Sequence, residues 1–281
     1  MKNVLVTTDL SENSRAAVRF ALQLAEQGGY KLVFLHVTEI LKPVRWTEEF
    51  YTDFEQKELE GLERDLKALV MEVSGATGST IIDPKYVVHN SSSIIANVVH
   101  YAEQHQISYI CMSRKGGGNS LKLFGSITAT LLEKSNIPVI AVPEDYQLSA
   151  INQICYAADL ANLEEELQEV STLADTLKAN LSLLHFSSPI DGANAEKRIA
   201  DAHAAIGGTS LDVHLESLDF DVALSDRIAR SVETLKPDML VMFTRQNRSF
   251  FERIFLSSIS AEFAASTKVP LMVFRKKQWG N

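Results

Sequence analysis

The sequence predicts an α/β protein in which a doubly wound fold occurs twice in tandem. Short apolar strands alternate with amphipathic helices along the chain, which is the pattern of parallel sheets covered by helices on both faces. Five elements of the first half recur in the same order in the second half, the first two of them about 150 residues later. A length of 281 residues suits two domains, for which we expect bounds of 1–146 and 147–281.

The first half contains five segments with strand character. We expect strands at residues 4–9, 32–37, 81–89, 107–112 and 137–142. Ser11 is a good N-cap for the helix after the first strand, and Gly28 and Gly29 are expected to end that helix. An extended stretch over residues 39–53 should precede a long amphipathic helix, whose apolar side carries Leu59, Leu62, Leu66, Leu69 and Val73.

The second half follows the same plan. We expect strands at residues 154–159, 181–185, 211–215, 239–243 and 269–274, with helices over 194–206 and 224–235. The first strand of each half ends in an aspartate, Asp9 or Asp159. This agreement in order and spacing makes an internal duplication the best-supported inference from the pattern.

Composition argues against nucleic-acid-binding and membrane proteins. The formal net charge is −9 and the pI is near 5.3, so we expect no generic binding to nucleic acid or to anionic membranes. No apolar run approaches the roughly 20 residues of a membrane span, and the N-terminus has no signal-peptide pattern. We therefore expect a soluble, cytoplasmic protein.

Residues that could carry chemistry are few. Cys111 and Cys155 lie in apolar strands and are expected to be buried free thiols rather than a disulfide or a metal site. His36 and His185 are expected to be structural residues at matching strand ends, and residues 164–166 a solvated, acidic helix start. No nucleophile has a visible base, so the sequence predicts neither an enzyme nor a metal site.

A basic, glycine-rich loop follows the fourth strand and ends at Gly125, before a helix. Such a loop can hold phosphate, because bare backbone N–H groups and the helix dipole favour an anion. If the first and fourth strands are neighbours, Asp9 faces this loop across a crevice. Arg114, Lys115 and Lys122 would add positive charge. The alternative, a surface loop that binds nothing, stays open.

Four segments carry a family resemblance: TTDLSE at the first strand, LHV in the second, SRKGGGNSLKLFGS after the fourth, and IPVIAVP at the fifth. Together they resemble the universal stress protein family, and the two halves resemble its tandem members. The resemblance implies five-stranded parallel sheets of the Rossmann-like, adenine nucleotide alpha hydrolase-like type. It also implies an ATP site in the first half, with the candidate residues Thr7, Asp9, Val37, Met112, Arg114, Lys115, Gly116, Gly118, Gly125, Ser126 and Ile127.

The chain departs from the family's nucleotide motif, which has a glycine, two residues, a second glycine, nine residues, and then Gly-Ser or Gly-Thr. Gly125 and Ser126 fit the final pair, but Met112 and Lys115 stand where the two earlier glycines belong. The second half has no glycine at all between Gly208 and Gly280. ATP is therefore expected in the first half only.

Three functions remain as expectations. The first is a stress-response binding and signalling module with ATP in its first half, and the second is a nucleotide-independent stress protein that acts through protein–protein contacts. An ATP hydrolase is the third, although no base is visible. The resemblance implies that the two halves pair through their fifth strands. A homodimer is the general expectation for such proteins, although a tandem chain can satisfy this edge internally.

Overall fold

The structure is a computed structural model that describes residues 2–115, 125–187, 192–206, 210–217, 221–222, 224–244 and 268–276. It divides into two compact units, Met1–Leu148 and Ser149–Asn281, which we call the first copy and the second copy. Both units are α/β with parallel strand pairing, as the sequence predicted. No helix among the described residues is long and apolar enough to cross a lipid bilayer.

The first copy has five strands and four α-helices among its described residues. In chain order they are β1 (Asn3–Thr7), α1 (Arg15–Gly28), β2 (Lys31–Thr38), α2 (Glu48–Thr77), β3 (Lys85–Asn90), α3 (Ile94–Gln104), β4 (Tyr109–Ser113), α4 (Ser126–Lys134) and β5 (Val139–Val142). The strands lie in the order β3-β2-β1-β4-β5. The order therefore reverses between β1 and β4, which is where open α/β sheets bind ligands.

Helix α1 shows how the sequence builds this layer. Its apolar residues Phe20, Ala21 and Leu24 are fully buried, as the helical stripe predicted. Gly29 ends the helix with φ of 67°, a left-handed conformation that a glycine adopts without a Cβ penalty. The expected stop at Gly28 and Gly29 is confirmed.

Three local expectations need correction. Ser11 does not cap α1; it precedes a 3-10 turn at Glu12–Ser14, and α1 begins at Arg15. Helix α2 begins at Glu48, inside the stretch expected to be extended, because the Thr47 side chain accepts a hydrogen bond from the Phe50 N–H. Strand β3 begins at Lys85 rather than at residue 81.

The second copy repeats the order. Its described elements are β6 (Gln153–Ala157), α5 (Leu163–Leu177), β7 (Asn180–Ser187), α6 (Gly192–Ile206), β8 (Leu211–Ser217), α7 (Leu224–Leu235), β9 (Met239–Thr244) and β10 (Leu271–Arg275). These strands lie in the order β10-β9-β6-β7-β8, so the order reverses between β6 and β9. That reversal is the counterpart of the one between β1 and β4.

Candidate functional site

The carboxyl ends of β1 and β4 form the candidate site of the first copy. Strand β1 pairs with β2 on one side and with β4 on the other, and Val6 lies opposite Cys111. The prediction that the first and fourth strands are neighbours is therefore confirmed.

Ser113, the last residue of β4, links the elements around the candidate site. Its hydroxyl donates a hydrogen bond of 2.7 Å to the carbonyl of Asn13 and accepts one of 3.2 Å from the N–H of Ala17, in α1. Its carbonyl accepts a 3.0 Å hydrogen bond from the hydroxyl of Thr128, in α4. The ends of three elements are thereby held in one fixed arrangement.

Asp9 lies in a tight turn at the tip of β1. Its Oδ1 accepts hydrogen bonds from the N–H of Ser11 at 3.1 Å and from the Ser11 hydroxyl at 2.5 Å. Leu10 has φ of 61°, a conformation that non-glycine residues seldom adopt. Asp9 is nevertheless solvent-exposed, so a carboxylate stands at the mouth of the crevice in a defined turn.

Two further candidate residues, Thr7 in β1 and Val37 in β2, lie in the sheet next to this turn. Thr7 is half-buried and Val37 is buried. The ring of His36 lies with Nδ1 2.9 Å from the Thr8 carbonyl oxygen, which ties the end of β2 to the turn. This contact confirms the structural role expected for His36.

The N-terminus of α4 forms the opposite side of the site. Gly125 precedes the helix with φ of −63° and ψ of 160°, and its N–H donates a 2.7 Å hydrogen bond to the Arg114 carbonyl. No side chain of the described residues caps this terminus, Ser126 is exposed, and Ile127 is half-buried. N–H groups in the first turn of a helix without a cap can hold an anion.

Two groups of candidate residues remain: the cations Arg114 and Lys115, and Met112, which together with Lys115 stands where the family motif has a glycine. They occupy different environments. The Arg114 side chain is buried, with Nη2 3.6 Å from Oε2 of Glu144, and burial lowers the pKa of its guanidinium. Met112 is a buried residue of β4 opposite Ala141, so a side chain there packs into regular sheet. Lys115 is half-buried. Gly116, Gly118 and Lys122 lie outside the described residues.

The second copy has the same turn at the tip of β6. Asp159 Oδ1 accepts a 2.9 Å hydrogen bond from the N–H two residues on, at Ala161. Leu160 has φ of 61°, the value found at Leu10. The ring of His185 lies with Nδ1 2.8 Å from the carbonyl oxygen of Ala158, which repeats the contact of His36. The duplication thus extends to backbone angles and hydrogen bonds.

The partners of the second aspartate are different. Nζ of Lys276 lies 2.5 Å from Oδ1 of Asp159 and 2.9 Å from Oε1 of Glu166. The hydroxyl of Tyr156, a fully buried residue, donates to Oε2 of Glu166. The side chains of Lys276 and Glu166 are only 4% and 5% exposed. Burial raises the pKa of Glu166, although the contacts with Tyr156 and Lys276 oppose this shift.

This network corrects one expectation and adds a residue that the sequence analysis missed. Glu164 and Glu165 are exposed, as expected for a solvated helix start, but Glu166 is buried. The sequence did hold a signal for Lys276. Once the duplication is aligned, Lys276 falls opposite Glu144, and the sign of the charge is reversed.

Other candidate chemistry is sparse in the described part of the chain. Cys111 and Cys155 are free and buried, as predicted. Burial raises the pKa of both thiols, for Cys155 to about 11. Among the described residues no three His, Cys, Asp or Glu side chains are grouped so that they could hold a metal ion.

Comparisons with known proteins agree with this architecture. The universal stress protein family profile matches residues 1–143 and 152–275. A universal stress protein from Archaeoglobus fulgidus DSM 4304 is 19% identical with a TM-score of 0.67, over 98% of this chain and 98% of that chain. A functionally unknown protein from Pseudomonas aeruginosa PAO1 is 14% identical with a TM-score of 0.61, over 98% of this chain and 92% of that chain. No curated protein matches the sequence.

The structural likenesses, at these identities, show the fold. The family match is broader evidence, because it covers both copies and nearly the whole chain. Two matched segments in one polypeptide also agree with the repeated turn at Asp9 and Asp159. The chain belongs to the universal stress protein family and is a tandem member of it.

Proposed function

We propose that this protein is a stress-response module that binds an adenine nucleotide, ATP, in the crevice of its first copy and uses its second copy as a structural partner. One observation carries the proposal. The exposed carboxylate of Asp9 and the N-terminus of α4 lie at the carboxyl ends of adjacent strands, and Ser113 links the elements around them. A nucleotide needs both an acceptor for its sugar or base and a donor group for its phosphates.

Each candidate residue takes a part in this proposal. Asp9 accepts hydrogen bonds from the ribose or from the base edge, while Thr7 and Val37 line the adenine pocket. At the other end, the N–H groups around Gly125 and Ile127 and the hydroxyl of Ser126 face phosphate. Lys115 supplies positive charge there, with Gly116 and Gly118 as further bare backbone. Met112 and Arg114 support the loop from the end of β4, where both are buried.

Calorimetry with ATP on the wild type and on Gly125→Val tests the proposal. Because Gly125 has ordinary extended angles, valine fits its backbone without strain, yet the side chain would stand over the N-terminus of α4. We expect ATP binding to the wild type and at least a tenfold weaker affinity in the variant, with unchanged circular dichroism. Phosphate release in the same samples tests for hydrolysis. Among the described residues we identify no candidate base for that reaction other than Asp9.

A nucleotide-independent protein that acts through protein–protein contacts is the second candidate. Apolar side chains before α2 and in its first turn favour it, because Leu41 and Phe50 are 74% and 58% exposed and Val44 is fully exposed. If neither the wild type nor Gly125→Val binds ATP while both remain folded, this second candidate replaces the first.

We propose further that the two copies pair through their fifth strands and that the protein works in the cytoplasm, either alone or as a homodimer. The family resemblance supports the pairing, since separate subunits of relatives are expected to use the same edge. Mass measurement in solution distinguishes the monomer from the dimer. A folded, isolated first copy that dimerises while the full chain does not would support the internal pairing.

A further inference from the structure

Lys276 lies at the carboxyl edge of the second copy's sheet. Its N–H donates a 2.9 Å hydrogen bond to the carbonyl of Thr244, which continues the pairing of Arg275 with Thr244 between β10 and β9. The backbone of Lys276 therefore sits beside the end of β9. Its position is set by the sheet.

The side chain of Lys276 crosses the point where the strand order reverses. Strand β9 lies between β10 and β6 in the sheet, yet Nζ of Lys276 reaches Asp159, in the turn after β6, at 2.5 Å. The lysine stem thus passes over the end of β9 to the tip of β6. In the first copy the corresponding place is the mouth of the candidate nucleotide crevice.

The ammonium group lies within ion-pairing distance of two carboxylates. It faces one carboxylate oxygen of Asp159 and one of Glu166. The other Glu166 oxygen accepts from Tyr156, and Asp159 Oδ1 also accepts from the N–H of Ala161. Two carboxylates this close, one of them buried, repel each other and are costly to desolvate without a cation between them. Lys276 supplies that cation within the chain.

A change of charge at one position accounts for the difference between the copies. Glu144 and Lys276 each lie two residues beyond an equivalent strand residue, Val142 or Phe274. Glu144 pairs with Arg114, which stands at the end of the adjacent strand. Thr244 occupies the matching place in the second copy and has no charge that could pair with a lysine. The Lys276 side chain therefore extends further and pairs with Asp159 and Glu166.

We propose that Lys276 is an internal counter-ion that closes the second copy's crevice, and that the Asp159–Glu166 pair is a site for a primary ammonium group which the chain itself occupies. The lysine ammonium holds Asp159, which is 36% exposed, in a structural contact at the place that corresponds to Asp9 in the first copy. The site thereby selects a compact cation with N–H donors and excludes an anionic ligand. This inference rests on contacts within the second copy and stands whether or not the first copy binds ATP.

A neighbouring cavity offers a route for testing the site with an external ligand. It is partly open to solvent, has a volume of only about 20 Å³, and is lined by Asn162, Glu165, Glu166, Glu169, Phe243, Arg275 and Lys276. Truncation of Lys276 to alanine would extend this space to the two carboxylates. A small alkylammonium ion could then enter and replace the lost side chain.

The experiment is chemical rescue of Lys276→Ala by n-propylammonium, which matches the atoms that the substitution removes. We expect the variant to unfold at a lower urea concentration than the wild type, and n-propylammonium to recover at least half of the lost midpoint. If Lys276→Ala is unfolded in buffer, the same measurement is its folded fraction against n-propylammonium concentration. Lys276→Met keeps most of the side-chain volume, is expected to lose stability as well, and leaves no room for the amine.

Three controls separate rescue from general ion effects. Lys268→Ala removes an exposed lysine from the same region and should neither lose much stability nor respond to n-propylammonium. Tetramethylammonium chloride has the same charge without N–H donors and should not rescue, and neither should n-propanol. Equal responses of Lys276→Ala and the wild type, equal responses to the two cations, or no response to n-propylammonium would overturn the proposal.

Discussion

The turns after β1 and β6 have the same backbone and different chemistry. Both place a leucine at φ of 61° and both use an aspartate to accept the N–H two residues on. Both aspartates are exposed, but Asp159 also contacts the nearly buried ammonium of Lys276. A fold can therefore keep the geometry of a binding turn while a residue more than a hundred positions away determines whether its carboxylate can meet a ligand.

The strongest way to break this comparison is to reverse the charges. In Lys276→Glu a third carboxylate would face Asp159 and Glu166, and we expect a loss of about 3–5 kcal/mol in the free energy of unfolding, as for a broken buried ion pair. In Glu144→Lys an ammonium would face Arg114, but the Glu144 side chain is 25% exposed and can turn to solvent, so the loss should be smaller. Urea unfolding measures both, and a larger loss in Glu144→Lys would contradict the account.

Neutralising each aspartate sharpens the comparison. Asp9→Asn keeps an acceptor for Ser11 but removes the charge at the crevice, so we expect at least tenfold weaker ATP binding, about 1.4 kcal/mol, with little change in stability. Asp159→Asn removes one counter-charge of Lys276 and should lower stability by about 1 kcal/mol, without changing ATP binding. Calorimetry and urea unfolding on both variants give the four values. A fall in ATP affinity in Asp159→Asn would indicate that ATP binds in the second copy and would contradict the account.

Tyr156→Phe tests the far end of the second copy's network. The variant removes the buried hydroxyl that donates to Oε2 of Glu166. We expect the free energy of unfolding to fall by about 1 kcal/mol. Tyr101→Phe, at a buried tyrosine of α3, serves as the control in the first copy and should change stability less. Burial and the nearby Glu166 raise the pKa of Tyr156, so its absorbance should not titrate with that of the exposed tyrosines while the protein is folded.

The smallest effect is expected at the surface of the first copy. Nη2 of Arg15 lies 2.9 Å from Oε2 of Glu72, and this hydrogen bond lowers the pKa of Glu72. A carboxyl with a lowered folded-state pKa stabilises the protein above its ordinary pKa, and the contribution is lost as pH falls through the folded-state value. Glu72→Gln should therefore flatten slightly the fall of the melting temperature between about pH 5 and 3. An identical slope in the wild type would show that the pair contributes nothing.

Local pattern was sufficient for most of the fold. The alternation of apolar strands with helices and the helix stop at Gly28 and Gly29 predicted single elements, because each depends on residues close in sequence. The repeat predicted the second copy from the first. The start of α2 was missed because Thr47 caps the helix and outweighs the extended character of the residues before it. The expected neighbourhood of the first and fourth strands brought Asp9 and Ser126 into one site hypothesis, and the pairing of β1 with β4 supports it.

The second copy's network was out of reach of the same reasoning. Lys276 and Asp159 are 117 residues apart, and no local spacing relates them. Glu166 belongs to an acidic run whose usual place is solvent, and only the tertiary position of Tyr156 and Lys276 explains its burial. Alignment of the two copies would have exposed the Glu144-to-Lys276 reversal, which is the one sequence signal of this difference.

The number of nucleotides bound per chain tests the central claim most directly. Calorimetric titration of the full chain with ATP, repeated on Asp9→Asn, gives the stoichiometry and locates the site. We predict one ATP per chain, lost or weakened at least tenfold in Asp9→Asn. Two equivalent sites per chain, or one site that is insensitive to Asp9→Asn, would contradict the claim that the fold is duplicated and that only the first copy binds ATP.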